Sequence, residues 1–350
     1  MITPKVSKLV NKLAWTARRF GRPAPIDVLY QGGSKDRPEY IKRIRGPVYL
    51  EPLHGYAITA DGVLVEETMD PHYYIKVPTA TWRHGLPSML WFERTVRRQD
   101  LIDHHRSVVS LRHQWEWNYY HFHLDVLGKM KLLSEHSVLD GRPLALGRYV
   151  RELSFAAEVL RKGRLSKRDW LIPDADNRRI ILADELIYCR IDGVVAGDRV
   201  RYLLDQMELP PPPLDSRKRI FLNREPPATR VASNFSEIRP LIEERGFTIV
   251  DSAKLSTDEK IELFSNIRHL VAIHGAGLTN VIYRRDAPLS LMEIHGSSYI
   301  PPDIKIISND FGYTYRRLSC EPAKGVDPQH ANIYVEPTEL CRAMDELLQT

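Results

Sequence analysis

Beyond four consecutive prolines, Pro210 to Pro213, the sequence alternates between short apolar runs and segments of helical periodicity. Strands are predicted at Arg219 to Leu222, Phe247 to Val250, residues 269 to 273 and Leu289 to Ile294. Helices are predicted at Phe235 to Arg245, at Thr257 to Asn266 and after Gly277. Alternation with such short links requires a parallel sheet covered by helices on both faces. The four prolines continue neither a helix nor a sheet, so they are expected to form a stiff extended spacer with the domain boundary there.

Within that alternation, Arg268 to Arg285 is the most informative segment. A buried strand at 269 to 273 runs into His274-Gly275-Ala276-Gly277, and Leu278, Val281 and Ile282 follow at helical spacing. Glycine lets backbone approach a ligand closely, and the free N–H groups of a helix start suit a phosphate. The same glycines also suit a plain tight turn in an α/β domain. His274, at the carboxyl end of a strand, stands where open α/β sheets bind ligands.

The first half reads less regularly. Strands are expected at Val48 to Leu50, Tyr56 to Ile58, Val63 to Val65, Ser107 to Leu111, Leu144 to Leu146, Trp170 to Pro173 and Ile180 to Tyr188. Helices are expected at Tyr119 to about Glu135, Glu152 to Arg161 and Arg199 to Glu208, and residues 26 to 46 read as polar loop. The chain therefore divides into a tail (1–22), a first α/β domain (23–209), a Rossmann-like domain (214–335) and a closing helix (336–350) with Leu340, Met344, Leu347 and Leu348 on one face.

At 350 residues, 43% hydrophobic and 27% charged, the composition is that of a globular protein. Residues 1 to 45 hold eleven Lys or Arg against three Asp or Glu, an excess of +8 in a chain of net +5, so the remainder stands at −3. A nucleic-acid partner is not expected of such a body. Val6, Leu9, Val10, Leu13, Ala17 and Phe20 share a helical face in the tail, with Lys5, Lys8, Lys12, Arg18 and Arg19 around it. That pattern fits a helix on an anionic membrane surface or one packed on the protein. No apolar run spans a membrane and the first residues lack a signal-peptide core, so a cytoplasmic location is expected, peripheral on the inner membrane face if the tail binds lipid. Cys189, Cys320 and Cys341 have no metal-ligand spacing and read as reduced packing thiols.

Three further groups can carry chemistry. Phe221-Leu-Asn223-Arg224 ends a strand, and Arg230 follows with Asn234 and Glu237. An Arg fork at a strand end suits a diphosphate, while Asn234 and Glu237 have the spacing of a helix cap. Glu293, closing the last strand, can accept both hydroxyls of a ribose or join an ion pair. In Asn118-Tyr-Tyr-His121-Phe-His123-Leu-Asp125, His121 and Asp125 share a helical face as a tunable base and its carboxylate. The structural alternative makes Asn118 a cap, buries His121 and pairs Asp125 with Lys129. Asp174-Ala-Asp176 and the pair His121 and His123 are poor metal candidates, the first a turn and the second divergent on a helix. No metal site is expected.

Asn118 to Asp125, Phe221-Leu-Asn-Arg224 with Arg230 and Asn234, His274-Gly-Ala-Gly-Leu-Thr-Asn280 and Leu291-Met-Glu293 occur in the order and spacing of glycosyltransferase family 61, which the chain resembles from about residue 105 to 335. That family includes bacterial capsular-polysaccharide proteins, plant xylan-decorating enzymes and animal protein N-acetylglucosaminyltransferases. The resemblance implies two Rossmann-like domains facing a cleft (the glycosyltransferase B type) and inverting transfer from a nucleotide sugar, a UDP-sugar, to a hydroxyl of a glycan or lipid-linked acceptor. It implies donor contacts from Asn223, Arg224, Arg230, His274, Gly275, Ala276, Gly277, Leu278, Thr279, Asn280 and Glu293, and a base in His121 or Asp125, with no required cofactor and a divalent metal left open. The family often has Ser where this chain has Asn223. Two other readings remain: a nicotinamide-dependent oxidoreductase, because Gly275-Ala-Gly277 with Glu293 approaches the dinucleotide fingerprint, and a non-catalytic scaffold on a transferase fold.

Overall fold

The structure, a computed structural model, describes residues 25–34, 38–52, 55–60, 62, 65, 68, 98–173, 180–191 and 197–350. The expected tail helix over 1–22, residues 63 and 64 of one strand candidate, and Asp174 and Asp176 lie outside them. The chain forms two compact units, one ending at Gly193 and one beginning at Val194.

The first unit is built on β1 (Ile26–Gly33), β2 (Pro38–Leu50), β3 (Ala57–Thr59), β4 (Ile102–His105), β5 (Val108–Ser110), β6 (Leu144–Ala145), β7 (Trp170–Leu171) and β8 (Ile180–Arg190). They form one sheet in the order β1-β2-β8-β5-β6-β7, with β3 on β2 and β4 on β8. Pairs among β1, β2, β3 and β8 are antiparallel, and β4 to β7 run parallel with β8. Ile44, Val48, Val108, Ala183 and Leu186 make the core of one face.

Two expectations for this unit are corrected. Residues 26 to 46 are a long hairpin rather than a loop. Ile41 and Ile44 lie three apart, therefore on opposite faces, and both are fully buried. A strand covered on both sides shows no alternation, and its charges are absorbed across the ladder, where Asp27 faces Arg43 and pairs with it at 2.8 Å. The helix expected from Tyr119 to Glu135 is broken: one α-turn at Tyr119–His121, a π-turn at Phe122–Val126 and an α-helix at Lys129–Glu135. The Leu127 amide reaches the Phe122 carbonyl five residues back, at 3.0 Å. Gly128 follows because a Cβ there would overlap the Leu124 carbonyl oxygen.

The second unit carries β9 (Lys218–Leu222), β10 (Thr248–Val250), β11 (Ile267–Ile273), β12 (Ser290–Gly296), β13 (Thr314–Pro322) and β14 (Ile333–Tyr334) in the order β10-β9-β11-β12-β13-β14. All pairs are parallel except β13 with β14. Helices Phe235–Glu244 and Pro337–Leu347 cover one face, burying Ile238, Ile242, Leu340, Met344 and Leu347 against Phe221, Val271 and Met292. The closing helix thus docks as its periodicity predicts.

Helix Gly197–Gln206 belongs to this unit. The Gly197 amide donates to the Asp310 carboxylate at 2.7 Å, and Arg201 pairs with Asp286. The division therefore falls ahead of that helix, and the proline run lies inside the second unit. Buried Arg284 ties the run down, donating to the carbonyls of Pro213 and Ser265 at 2.6 Å each. Among the described residues no helix is long and apolar enough to cross a membrane. The three cysteines are free, and burial pushes the Cys189 and Cys320 thiols up to about 12, as packing roles require.

Candidate functional site

In the second unit the chain leaves β9 for β10 on one side and returns to β11 on the other. Open α/β sheets bind ligands where the strand order reverses, outside the carboxyl ends of the two strands. Here those ends deliver Asn223 and Arg224 after β9, and His274 and Gly275 after β11.

Arg224 donates from Nε to the Thr229 carbonyl at 2.9 Å, and its guanidinium lies over Gly275, where a Cβ would overlap Nη1. The Gly275 backbone is extended, φ 164, so the guanidinium and not the dihedral demands glycine. Gly277 serves packing instead, since a Cβ there would stand 2.8 Å from Ser252 Oγ. Arg230 sits at φ 61, a left-handed conformation that costs a side-chain-bearing residue about 1 to 2 kcal/mol. Its Nη1 donates to the Gln329 carbonyl at 2.7 Å, and its guanidinium lies 5.8 Å from the Tyr299 ring.

Burial, and then the charge of Arg230, pulls Arg224 down to about 10, and burial also lowers Arg230. Two desolvated guanidinium groups thus repel each other. The Asp251 charge offsets this only in part at Arg224, and the buried Arg230 Nε has no protein partner. Such a pair is stabilised by an anion placed between or beside the forks.

His274 presents a second element of the site. Its Nδ1 lies 2.6 Å from Glu293 Oε1, and the Tyr315 hydroxyl donates to Glu293 Oε2 at 2.6 Å. Glu293 has no exposed surface, while the His274 side chain keeps 12%. Both carboxylate oxygens are engaged, so Glu293 faces His274 and Tyr315 and not an open pocket that could receive a ribose. The His274 ring meets Tyr299 edge to face at 5.6 Å.

Other positions from the sequence have structural work in this arrangement. The segment after Gly275 is a 3₁₀ helix, Ala276–Arg284, and not the α-helix expected. Leu278, Thr279 and Asn280 are buried, with Asn280 donating to the Gly277 carbonyl at 2.8 Å, and Ala276 is partly exposed beside Gly275. Asn223 is buried and its Oδ1 has no protein donor. Asn234 does not cap its helix by side chain. It bridges the Val335 amide and carbonyl and donates to Glu237 at 2.9 Å.

In the first unit Asn118 caps the α-turn, accepting from the Tyr120 amide at 2.9 Å. His121 Nδ1 and Asp125 Oδ2 lie 2.5 Å apart, with side chains 26% and 13% exposed. Lys129 goes elsewhere, to the carbonyls of Leu111 and Arg112, so the alternative pairing with Asp125 does not form. His123 is buried and bonds the Tyr119 carbonyl at 2.7 Å.

The sequence gives no local sign of His113 and Trp115. Their rings lie 5.4 and 4.8 Å from that of His121, wedging it against Asp125. His113, His121 and Asp125 offer donor atoms within 4.8 Å of one another, the one set among the described residues that can hold a metal ion. Both His121 Nδ1 and His113 Nδ1 are already engaged, the latter accepting from the Trp115 amide at 3.2 Å. That acceptor role places the His113 proton on Nε2 and leaves Nδ1 as its lone-pair nitrogen. With its Nδ1–H donated to Asp125, His121 has its lone pair on Nε2, where it can serve as a base or as a ligand.

Residues 119–291 match the model of a protein family described as Glycosyltransferase 61. No curated protein matches the chain. The matched range takes in His121, Asp125, Arg224, Arg230 and His274 to Asn280, and it ends before Glu293 and Tyr315.

Proposed function

We propose that this chain, which carries a glycosyltransferase family 61 domain over residues 119–291, is an inverting enzyme that moves a sugar from a UDP-sugar to a hydroxyl of a glycan or lipid-linked acceptor. The observation that carries the reading is the pair of desolvated, mutually repelling guanidiniums of Arg224 and Arg230 at the strand-order reversal. They hold the donor's diphosphate, and Gly275 leaves room for Arg224 to reach it. His274, as an imidazolium with its Nδ1–H on Glu293, gives the diphosphate its Nε2–H, and Glu293 orients the ring. In the first unit His121 Nε2 takes the acceptor proton while Asp125 holds Nδ1. The acceptor oxygen then attacks the anomeric carbon, the bond to the diphosphate oxygen breaks, and the nucleoside diphosphate leaves with its negative charge matched by the arginines.

The fold supported for this reading is the two-Rossmann glycosyltransferase type, given a doubly wound second unit and a parallel-rich first one. Cell-surface polysaccharide assembly, on the inner membrane face, is the process that the family resemblance and the basic tail favour. A glycosyltransferase family domain sets aside the oxidoreductase reading, and the glycines agree, since Gly275 accommodates Arg224 and Gly277 accommodates Ser252. A thermal-shift panel tests the proposal, because a ligand of the native state raises its stability by mass action. UDP or a UDP-sugar should raise the midpoint. A rise with NAD(H) or NADP(H) and none with any nucleoside diphosphate compound would overturn it.

A further inference from the structure

Glu293 sits inside the parallel sheet, opposite Ala272 of β11 and Arg317 of β13. Tyr315 lies two residues before Arg317 on β13, the diagonal neighbour that can reach across the sheet face. A buried carboxylate is tolerable only with donors on its oxygens, and Glu293 takes one on each: His274 Nδ1 on Oε1 and the Tyr315 hydroxyl on Oε2. Without the second, the carboxylate is free to turn about its broad terminal torsion. The ring of His274 turns with it.

We propose that Tyr315 is a positioning residue of the donor site: by fixing the Glu293 carboxylate it holds the His274 imidazolium with its Nε2–H presented to the diphosphate bound by Arg224 and Arg230. This rests on the donor-site reading above. Three contacts tie His274 to those arginines. Gly275, the next residue, underlies the Arg224 guanidinium, and the Tyr299 ring meets both His274 at 5.6 Å and Arg230 at 5.8 Å. Burial and the Glu293 charge push the Tyr315 hydroxyl well above its usual range, so it stays a donor at every ordinary pH. Tyr315 lies outside the residues matched to the family and forms no motif with His274 in the sequence.

Calorimetric titration of the full chain with inorganic pyrophosphate separates the relay from general packing. Tyr315→Phe and His274→Asn should each weaken pyrophosphate by about tenfold, the worth of one charge-assisted hydrogen bond. The double variant should bind no more weakly than His274→Asn alone, because Tyr315 acts only through that ring. Unchanged affinity in Tyr315→Phe, or losses that add in the double variant, would overturn the relay. If Tyr315→Phe does not fold, Glu293→Gln takes its place under the same two criteria. A wild-type chain that ignores pyrophosphate, or an Arg224→Ala variant that binds it undiminished, would instead overturn the donor site and the relay with it.

Discussion

His121 and Asp125 are brought together by a helical turn, and the hydrogen bond between them leaves Nε2 as the uncommitted ring nitrogen of His121. With Nδ1 committed, Nε2 is the base of the proposed mechanism and Asp125 orients it. His121→Ala and Asp125→Asn should therefore each lower kcat by about 100-fold or more while donor affinity stays within about threefold. Steady-state kinetics and calorimetry on the same variants check this, and near-normal turnover would mark the face as structural. Gly275 yields a second residue-scale prediction. Its extended φ suits alanine, yet a methyl group there overlaps Arg224 Nη1, so Gly275→Ala should weaken nucleoside diphosphate binding with little loss of stability. The His, Asp, Arg and Gly positions were all legible in the sequence as types at strand ends or helical spacing. His113, Tyr299 and Tyr315 were not, because each reaches the site through tertiary packing across elements and leaves no local pattern.

At the scale of elements, the π-turn at Phe122–Val126 is the feature that periodicity alone could not supply, since apolar residues continue at helical spacing through it. Gly128 is its tell-tale: Gly128→Ala should cost roughly 1 to 3 kcal/mol, the usual penalty of overpacking, and should also depress kcat by shifting His121. Urea denaturation and turnover of that variant test both halves. Strand β11 supplies a pH dependence. His269 is buried with neither ring nitrogen bonded to protein, and burial, then Arg268 and Arg219, hold its pKa down to about 4 from 6.5. The unfolded chain takes up a proton below about 6.5 that the folded one refuses until about 4, so this group's stabilising effect is full above 6.5 and is lost as pH falls through that window. In His269→Leu the slope of unfolding free energy between those pH values should flatten. An unaltered slope would show that His269 is not the titrating group.

On the scale of the whole molecule, the alternation beyond the prolines sufficed for a doubly wound sheet, because both faces of such a sheet are buried and its strands read as continuous apolar runs. Strand order was out of reach, since it depends on which side each crossover returns. β13 was invisible for a different reason: of Thr314 to Pro322 only Cys320 is buried, so this near-edge strand carries no apolar run. The unit division was displaced for a third, as the proline run looks like a linker yet is clamped by Arg284 within one unit. Central to the proposed function is a diphosphate site built on Arg224 where β9 and β11 end. Calorimetry of UDP and GDP against wild-type and Arg224→Ala chains of equal melting temperature measures that directly. One of these nucleotides should bind the wild type and lose about 2 to 4 kcal/mol, roughly 30-fold to 1,000-fold in affinity, in the variant; equal affinity in the two chains would contradict a diphosphate site on Arg224.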